Sequence, residues 1–172
     1  MKLDKLWAPW RVGYISKARS SSSAKCIFCR VKRPASDRAD RVVARGRFCF
    51  SILNLYPYNN GHLMVAPYRH VGKLSRLNPA EWLEMLELTN DSVARLDRTM
   101  SPHGYNIGVN LGRVAGAGIL GHLHLHVVPR WTGDTNFMPS IAGTKVISQS
   151  LDAAYRLLKN ANPRQANHPK RA

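Results

Sequence analysis

The sequence predicts an α+β fold in which an antiparallel sheet packs against one long helix and a shorter C-terminal helix. Two observations indicate this class. Strand-like segments are grouped, with three between residues 41 and 67 and two more between residues 105 and 128. One long helical pattern separates the two groups, whereas a parallel sheet would alternate strands and helices along the whole chain.

The first group of strands is joined by turn signals. Residues 42–44 and 48–55 are apolar runs of strand character, and Gly46 separates them. Residues 56–61 contain turn formers and end in Asn-Gly, which is a strong hairpin signal. The third strand is predicted over residues 62–67, so this group forms an antiparallel meander.

The long helix is predicted to begin after Asn78, a favourable N-cap that is followed by Pro79 and, three residues on, by Glu81. It is expected to end near residue 100. The apolar stripe that should face the sheet comprises Trp82, Met85, Leu86, Val93, Leu96 and Met100. The other predicted elements are a strand over residues 105–111, a glycine-rich loop over 112–121 and a weaker helix over 148–159.

The length suits one domain. We expect an N-terminal arm over residues 1–25, the folded domain over 26–160 and a disordered basic tail over 161–172. No apolar run is long enough to span a membrane, and residues 1–20 lack the apolar core of a signal peptide, so a cytoplasmic location is expected. The formal charge of +16 attracts polyanions, and nucleic acid, an anionic membrane surface and a small polyphosphate substrate all fit it.

Three histidines alternate with apolar residues near the C-terminal third of the chain. Since side chains of a strand point alternately to its two faces, His122, His124 and His126 are predicted to share one face of a strand that Pro129 ends. Buried imidazoles need polar partners. This pattern therefore indicates metal binding, nucleophilic catalysis on phosphorus, or both.

Neighbouring residues favour a site for phosphate. The Gly116-Ala117-Gly118 loop precedes the histidines, and its backbone N–H groups are expected to cradle an anion. His62 and His70 lie at the ends of the third predicted strand, at an even spacing that allows them one face. Neutral imidazole is a good nucleophile towards phosphorus, and the middle histidine of the three is the best placed for attack.

Residues 122–128, His-Leu-His-Leu-His-Val-Val, resemble the His-x-His-x-His-x-x motif of the histidine triad (HIT) superfamily, in which x is apolar. The resemblance covers roughly residues 26–137. The other segments that agree with the family are 52–54, 56–61, 62–67 and 115–118. Residues 128–137 are similar to the bacterial branch that contains diadenosine tetraphosphate phosphorylases and hydrolases.

This resemblance implies a nucleotide substrate and an antiparallel sheet with helices that assembles as a two-fold homodimer. It implies that His124 attacks the α-phosphate to form a nucleotidyl-histidine, with His126 and His62 as donors on the phosphate side. The residues that it places along the substrate are Asn54, in the nucleoside pocket, and Asn110, Gly116, Ala117 and Gly118. Water or inorganic phosphate would then release the nucleotide.

The chain departs from the family pattern just before the triad. Many family hydrolases carry Gln and then Ser or Thr there, whereas this chain has Gly118-Ile119-Leu120-Gly121. A polar side chain that could orient the leaving group or the attacking water is therefore missing. Phosphorolysis and nucleotidyl transfer consequently stay open beside hydrolysis.

The cysteines are three in number, and a disulfide framework is not expected in a cytoplasmic chain. Cys26-x-x-Cys29 by itself fits a redox motif, a zinc site or chance. The resemblance favours zinc, because zinc-binding family members use such a pair together with the positions of His70 and His122. That set would make a closed, structural Zn²⁺ site. Cys49 is interpreted as a small buried residue.

We therefore predict an enzyme that cleaves dinucleoside polyphosphates of the diadenosine tetraphosphate type through His124. Two alternatives stay open: a nucleoside phosphoramidase of the same superfamily, and a non-catalytic, zinc-stabilised module that binds nucleotides or nucleic acid. The module predicts affinity that falls steeply with salt. Exposed aromatics interleaved in a basic stripe are missing from the sequence, so nucleic acid is the weaker prediction, and no membrane partner is expected.

Overall fold

The computed structural model of the protein describes residues 26–31, 36–135 and 146–163. The predicted N-terminal arm, residues 1–25, lies outside the described residues, as does the predicted tail from residue 164 onwards. None of the helices in the described ranges has the length and apolar character that a bilayer span requires.

The described strands form one five-stranded sheet. Their bounds are β1 Val42–Arg45, β2 Cys49–Leu53, β3 Leu63–Pro67, β4 Gly104–Val109 and β5 Leu125–Arg130. The spatial order is β1-β2-β3-β5-β4, and every neighbouring pair is antiparallel. The predicted fold class is confirmed, since β1 to β3 form the meander and the second group of strands extends it.

The helices lie between and after these strand groups. They are α1 Asp37–Asp40, α2 Pro79–Met100 and α3 Leu151–Asn160, with a 3-10 turn over Leu74–Arg76. Asn78 caps α2 through a complete capping box, because its side chain accepts from the Glu81 N–H and the Glu81 carboxylate accepts from the Asn78 N–H. This start was predicted, whereas α1 falls largely within residues 31–39, whose polar and basic composition favours a loop.

Helix α2 turns most of the predicted stripe to the sheet, with one exception and one omission. Leu86 is half-exposed, while Leu88, which the prediction omitted, is buried beside Met85 and Leu96. The reason is the helical angle of about 100° per residue, which places position 86 well away from the line through positions 85, 88 and 96. Two polar residues, Thr89 and Ser92, are buried there too, and each hydroxyl donates to a carbonyl four residues earlier.

The two faces of the sheet are covered by different parts of the chain. Helices α2 and α3 pack on one face with the apolar side chains of Leu123, Leu125 and Val127. Residues 26–31 cover the other face, where Cys26, Phe28 and Val31 pack on residues of β1, β2 and β3. The histidine side therefore faces the short cysteine-containing segment, and the alternation of leucine and histidine was predicted.

Strand β5 begins and ends later than expected. His122 and His124 precede it, so only His126 of the three histidines lies within the strand. The strand also continues through Pro129 to Arg130, although Pro129 was expected to end it. Proline is accommodated because the pairing of β5 with β3 already ends at Val127, and the Pro129 carbonyl instead accepts from Asn59 Nδ2 at 3.0 Å.

Candidate active site and metal centre

The segment before β5 is held in place by the chain that follows β3. The Leu123 N–H donates to the Val71 carbonyl at 2.6 Å, and His122 Nε2 donates to the Pro67 carbonyl at 2.8 Å. A Cβ at Gly72 would lie 3.2 Å from the Gly121 carbonyl oxygen, which is a tight approach. These contacts anchor the segment that carries His122 and His124 to the chain after β3.

Four of the predicted site residues form one cluster on the cysteine-containing face. The ligand atoms of Cys26, Cys29, His70 and His122 all lie within 4.8 Å of one another. Cys29 Sγ is 3.1 Å from His70 Nδ1 and 3.5 Å from His122 Nδ1, and Cys26 Sγ is 3.4 Å from His122 Nδ1. The structure thus brings together the two cysteines and two histidines that the family resemblance selected.

This donor set fits a tetrahedral metal. Ordinary Zn–S and Zn–N bonds at a tetrahedral angle separate sulfur from nitrogen by about 3.6 Å, close to the separations seen here. The hydrogen bond from His122 Nε2 to Pro67 fixes the tautomer, so Nδ1 presents its lone pair to the cluster. Burial lowers the pKa of His122 to about 4, which keeps this imidazole neutral at physiological pH.

His124 is buried next to this cluster, and its tautomer follows from its backbone contact. Its Nδ1 lies 2.8 Å from the His122 carbonyl oxygen, which can only accept, so Nδ1 carries the proton. The other ring nitrogen, Nε2, therefore bears the lone pair. Burial lowers the pKa of His124, and the Phe28 ring, with its centroid 4.9 Å away, supplies part of that apolar surrounding.

A hydrogen bond joins His62 to His126, and its direction follows from the other contact of His62. The Tyr58 backbone N–H donates to His62 Nδ1 at 3.1 Å, so a neutral His62 carries its proton on Nε2. That nitrogen lies 2.9 Å from His126 Nδ1 and donates to it. His126 consequently carries its proton on Nε2, and its ring centroid is 4.8 Å from that of His124. A lone pair and an N–H donor thus stand on adjacent rings.

The two predicted asparagines lie at the ends of this histidine pair. Asn54 Nδ2 is 3.3 Å from His62 Nδ1, and its Oδ1 accepts from the Tyr56 N–H. Asn110 Nδ2 is 3.5 Å from His126 Nε2. Both side chains therefore contact the histidines directly.

The glycine-rich loop is less open than expected of an anion cradle. Its Gly116 N–H donates to the Arg113 carbonyl and its Ala117 N–H to the Gly112 carbonyl. Gly116 has a positive φ of 89°, which glycine adopts without strain. Two of the backbone donors that we expected to face an anion are thus used within the loop.

Sequence reasoning did not select two residues that shape the site. Phe28 contacts both the His122 and His124 rings, and Tyr58 stacks on His62 at a centroid distance of 4.8 Å. Phe28 lies between Cys26 and Cys29. Once these cysteines are assigned to one cluster with His122, the sequence also predicts that Phe28 lies near the histidines. For Tyr58 the turn pattern hid the role, because both its ring and its backbone N–H contact His62 from within a segment that indicates only a turn.

Comparison with known proteins gives a consistent result. A family model described as HIT domain matches residues 36–133. The AP-4-A phosphorylase of Mycobacterium tuberculosis is 44% identical over 170 residues, which cover 95% of this chain and 87% of that protein. An adenosine 5'-monophosphoramidase of Schizosaccharomyces pombe is 28% identical, covering 61% of this chain and 74% of its own.

Among solved structures, a Zn-bound histidine triad family protein from Mycobacterium smegmatis superposes with a TM-score of 0.66. It is 25% identical, and the match covers 84% of this chain and 98% of that chain. The shared architecture extends well beyond the histidine segment.

Proposed function

The chain belongs to the HIT family, and from this premise we propose that it cleaves dinucleoside polyphosphates of the diadenosine tetraphosphate type through His124. The similarity to the mycobacterial AP-4-A phosphorylase, which extends over most of both chains, supports an enzyme with this class of substrate. The observation that carries the proposal is the tautomer of His124, whose Nε2 lone pair stands beside the N–H donor of His126.

In the proposed first step, the lone pair of His124 Nε2 attacks the α-phosphorus. A nitrogen–phosphorus bond forms as the bond from phosphorus to the bridging oxygen breaks, and the remaining nucleoside polyphosphate leaves with that electron pair. The hydrogen bond from Nδ1–H to the His122 carbonyl stabilises the positive charge on the ring. His126 Nε2–H donates to the phosphate oxygens, with His62 holding its orientation.

In the second step, inorganic phosphate or water attacks the same phosphorus and the bond to nitrogen breaks. Phosphate as acceptor yields a nucleoside diphosphate, and water yields a monophosphate. The apolar residues Ile119 and Leu120 stand just before the triad, where many family hydrolases carry polar side chains. Ile119 packs on the buried cluster beneath the cysteine segment. These residues favour phosphate as the acceptor.

The proposal includes a structural Zn²⁺ ion held by Cys26, Cys29, His70 and His122. Two thiolates and two imidazoles are a donor set that zinc prefers, and the sulfur–nitrogen separations support it. When bound, the ion would supply a cross-link between the cysteine segment and the strand that carries the site. His122 would then serve both centres, with its side chain at the metal and its carbonyl at His124.

We also infer that two copies of the chain associate as a homodimer. Strand β4 is at the edge of the sheet in the described structure, and its residues 106–108 are exposed. Ile107 is 49% exposed on this edge. An exposed strand edge of this kind offers its backbone groups to a second chain. The expected cytoplasmic location stays a prediction, for which cell fractionation is the test.

Turnover of diadenosine tetraphosphate, with products separated, tests the proposal. With inorganic phosphate present we expect ADP and ATP; AMP formed without phosphate would indicate hydrolysis. His124→Ala should lose activity while keeping its circular dichroism spectrum, and His103→Ala, an exposed histidine away from the triad, should match the wild type. Normal turnover in His124→Ala would refute the mechanism.

A second candidate is cleavage of nucleotide–amine bonds. It is favoured by the similarity to the yeast adenosine 5'-monophosphoramidase, and the same His124 attack would expel an amine in place of a nucleotide. A panel of adenosine phosphoramidates and dinucleoside polyphosphates, assayed side by side, separates the two. A higher kcat/KM for the phosphoramidates would favour this candidate.

A further inference from the structure

A polar cavity lies at the opposite edge of the sheet from β4. It has a volume of about 570 Å³ and opens between α1, the start of β1 and α3. The residues that line it are Arg38, Ala39, Arg41, Asp152, Tyr155 and Arg156. Strands β2 and β3 separate β1 from β5, so this cavity is distinct from the histidine site. Its volume is typical of small-molecule sites.

The lining of the cavity carries an excess of positive charge. Three arginines face one carboxylate, that of Asp152, which pairs with Arg41 at 3.1 Å and whose side chain is 76% exposed. Arg156 Nε donates to the Asp152 backbone carbonyl, so it does not neutralise the carboxylate directly. Arg38 and Arg156 are both exposed. Such a lining attracts anions, and guanidinium groups match phosphate in a bidentate manner.

Arg41 shows two features that its own packing does not explain. Its backbone is left-handed, with φ 59° and ψ 39°, at the end of α1, where glycine is the usual residue. Its buried Nε has no hydrogen-bond partner within residues 26–31, 36–135 and 146–163. Both features are costly for an arginine. They indicate that the side chain of Arg41, which lines the cavity, accounts for arginine at this position.

Tyr155 adds a neutral donor to this lining. Its ring is buried in the core beneath the cavity. Burial raises the pKa of Tyr155, and the nearby Asp37 raises it further, while Arg38 acts in the opposite direction. The hydroxyl therefore stays protonated at neutral pH and is available as a hydrogen-bond donor.

We propose that this cavity binds a linear oligophosphate, either free or as the phosphate chain of a nucleotide, through Arg38, Arg41 and Arg156. A chain of phosphates supplies several negative charges in a row, which matches arginines contributed by two different elements. No histidine among the described residues lines the cavity. This proposal and the proposed cleavage mechanism can therefore be tested, and refuted, independently of each other.

Calorimetric titration with sodium tripolyphosphate, at fixed ionic strength, tests the proposal. The double variant Arg38→Gln/Arg156→Gln should raise the Kd at least tenfold, because two charged contacts are lost. Asp152→Asn should lower the Kd severalfold, since it removes the competing carboxylate. Arg76→Gln, an exposed arginine on the 3-10 turn, is the matched control and should bind like the wild type.

Arg41→Gly separates binding from folding. Glycine suits the left-handed backbone at this position, so the Tm should stay equal or rise while tripolyphosphate affinity falls at least tenfold. The titrations are repeated with ATP, and the same variants should weaken its binding to a similar extent. Affinities within twofold of wild type in both the double variant and Arg41→Gly would overturn the proposal, as would a loss confined to ATP.

Discussion

At the scale of single residues, His122 links the two centres. Its Nδ1 belongs to the cysteine cluster, its Nε2 donates to Pro67, and its backbone carbonyl accepts from His124 Nδ1–H. A change at the cysteine–histidine cluster would therefore reach the proposed nucleophile, His124, through one residue.

Thiol reactivity should report the state of the cluster. In the native protein with zinc bound, we expect no thiol to react with Ellman's reagent. A strong chelator should expose Cys26 and Cys29, and only denaturation should expose Cys49. Burial raises the pKa of Cys49 to about 12, with Glu84 and Glu81 adding to the effect, so this thiol is protonated and inaccessible. Rapid reaction of all three thiols in the native, zinc-bound protein would contradict this prediction.

The carboxylate of Glu81 predicts a specific acid sensitivity. Its hydrogen bond from Arg69 lowers its pKa, helped by the Asn78 N–H and opposed by burial. A folded-state pKa below the unfolded value of about 4.3 stabilises the fold above that pH, and the stabilisation is lost as pH falls through the folded value. The Tm advantage of wild type over Glu81→Gln should therefore be full at pH 7 and shrink below pH ~4. An advantage that is constant with pH would contradict it.

The roles of single residues could be predicted where the residues belong to a sequence motif. They were missed where the contact depends on how the backbone folds. The Cys-x-x-Cys and the alternating histidines are motifs of the sequence itself. The cysteine–histidine cluster and the histidine site could therefore both be predicted. Tyr58 acts through its backbone N–H as well as its ring, and the turn pattern that contains it indicates neither contact. The proton positions on His62 and His126 depend on the backbone contact and required the structure.

At the scale of elements, helix α2 anchors the first hairpin through one side chain. The Glu84 carboxylate accepts from three consecutive backbone N–H groups, those of Arg47, Phe48 and Cys49, at 2.6–2.7 Å. A Cβ at Gly46 would overlap this carboxylate, which explains the glycine at that position. The turn between β1 and β2 is thereby held against the helix.

Glu84→Ala should consequently destabilise the protein by about 2–3 kcal/mol, because three consecutive backbone donors, two of them partly buried, lose a charged acceptor. Denaturant unfolding measures the change. Glu87→Ala, at an exposed position one turn later on the same helix, should change the stability by less than about 0.5 kcal/mol. Equal effects of the two variants would mean that the carboxylate contributes nothing to the hairpin.

The elements themselves were largely predictable, since periodicity and capping residues identify them locally. Their tertiary contacts were not. Arg95 is buried within α2 and donates to the carbonyls of Leu158 and Lys159 at the end of α3, a pairing between elements distant in the sequence. A charged residue in an amphipathic helix usually lies on the solvent-exposed face. The sequence therefore predicts an exposed Arg95, whereas the structure buries it. The predicted end of β5 at Pro129 was wrong for a similar reason. A proline is accepted at this position because the pairing of β5 with β3 has already ended at Val127.

At the scale of the whole molecule, the two edges of the sheet differ in character. The β1 edge carries the arginine cavity, and the β4 edge exposes the apolar side chain of Ile107. The grouping of strands in the sequence predicted one antiparallel sheet. The order of strands across it, with β5 inserted between β3 and β4, follows from pairings that no local pattern records.

The exposed edge makes the oligomeric state testable. Light scattering coupled to gel filtration should give a dimer for the wild type and a monomer for Ile107→Lys, because a buried lysine at the interface lacks a partner. Leu157→Lys, at an exposed apolar position on α3, is the control and should stay dimeric. A monomeric wild type at micromolar concentration would rule out the dimer.

The covalent intermediate is the central claim, and trapping it is the most direct test. Enzyme mixed with diadenosine tetraphosphate without phosphate, and quenched in alkali within milliseconds to seconds, is digested and its peptides analysed by mass spectrometry. The account predicts one adenylyl group on His124 in the wild type and in His103→Ala, and none in His124→Ala. Substrate consumption without any adduct, or an adduct on another residue, would contradict it.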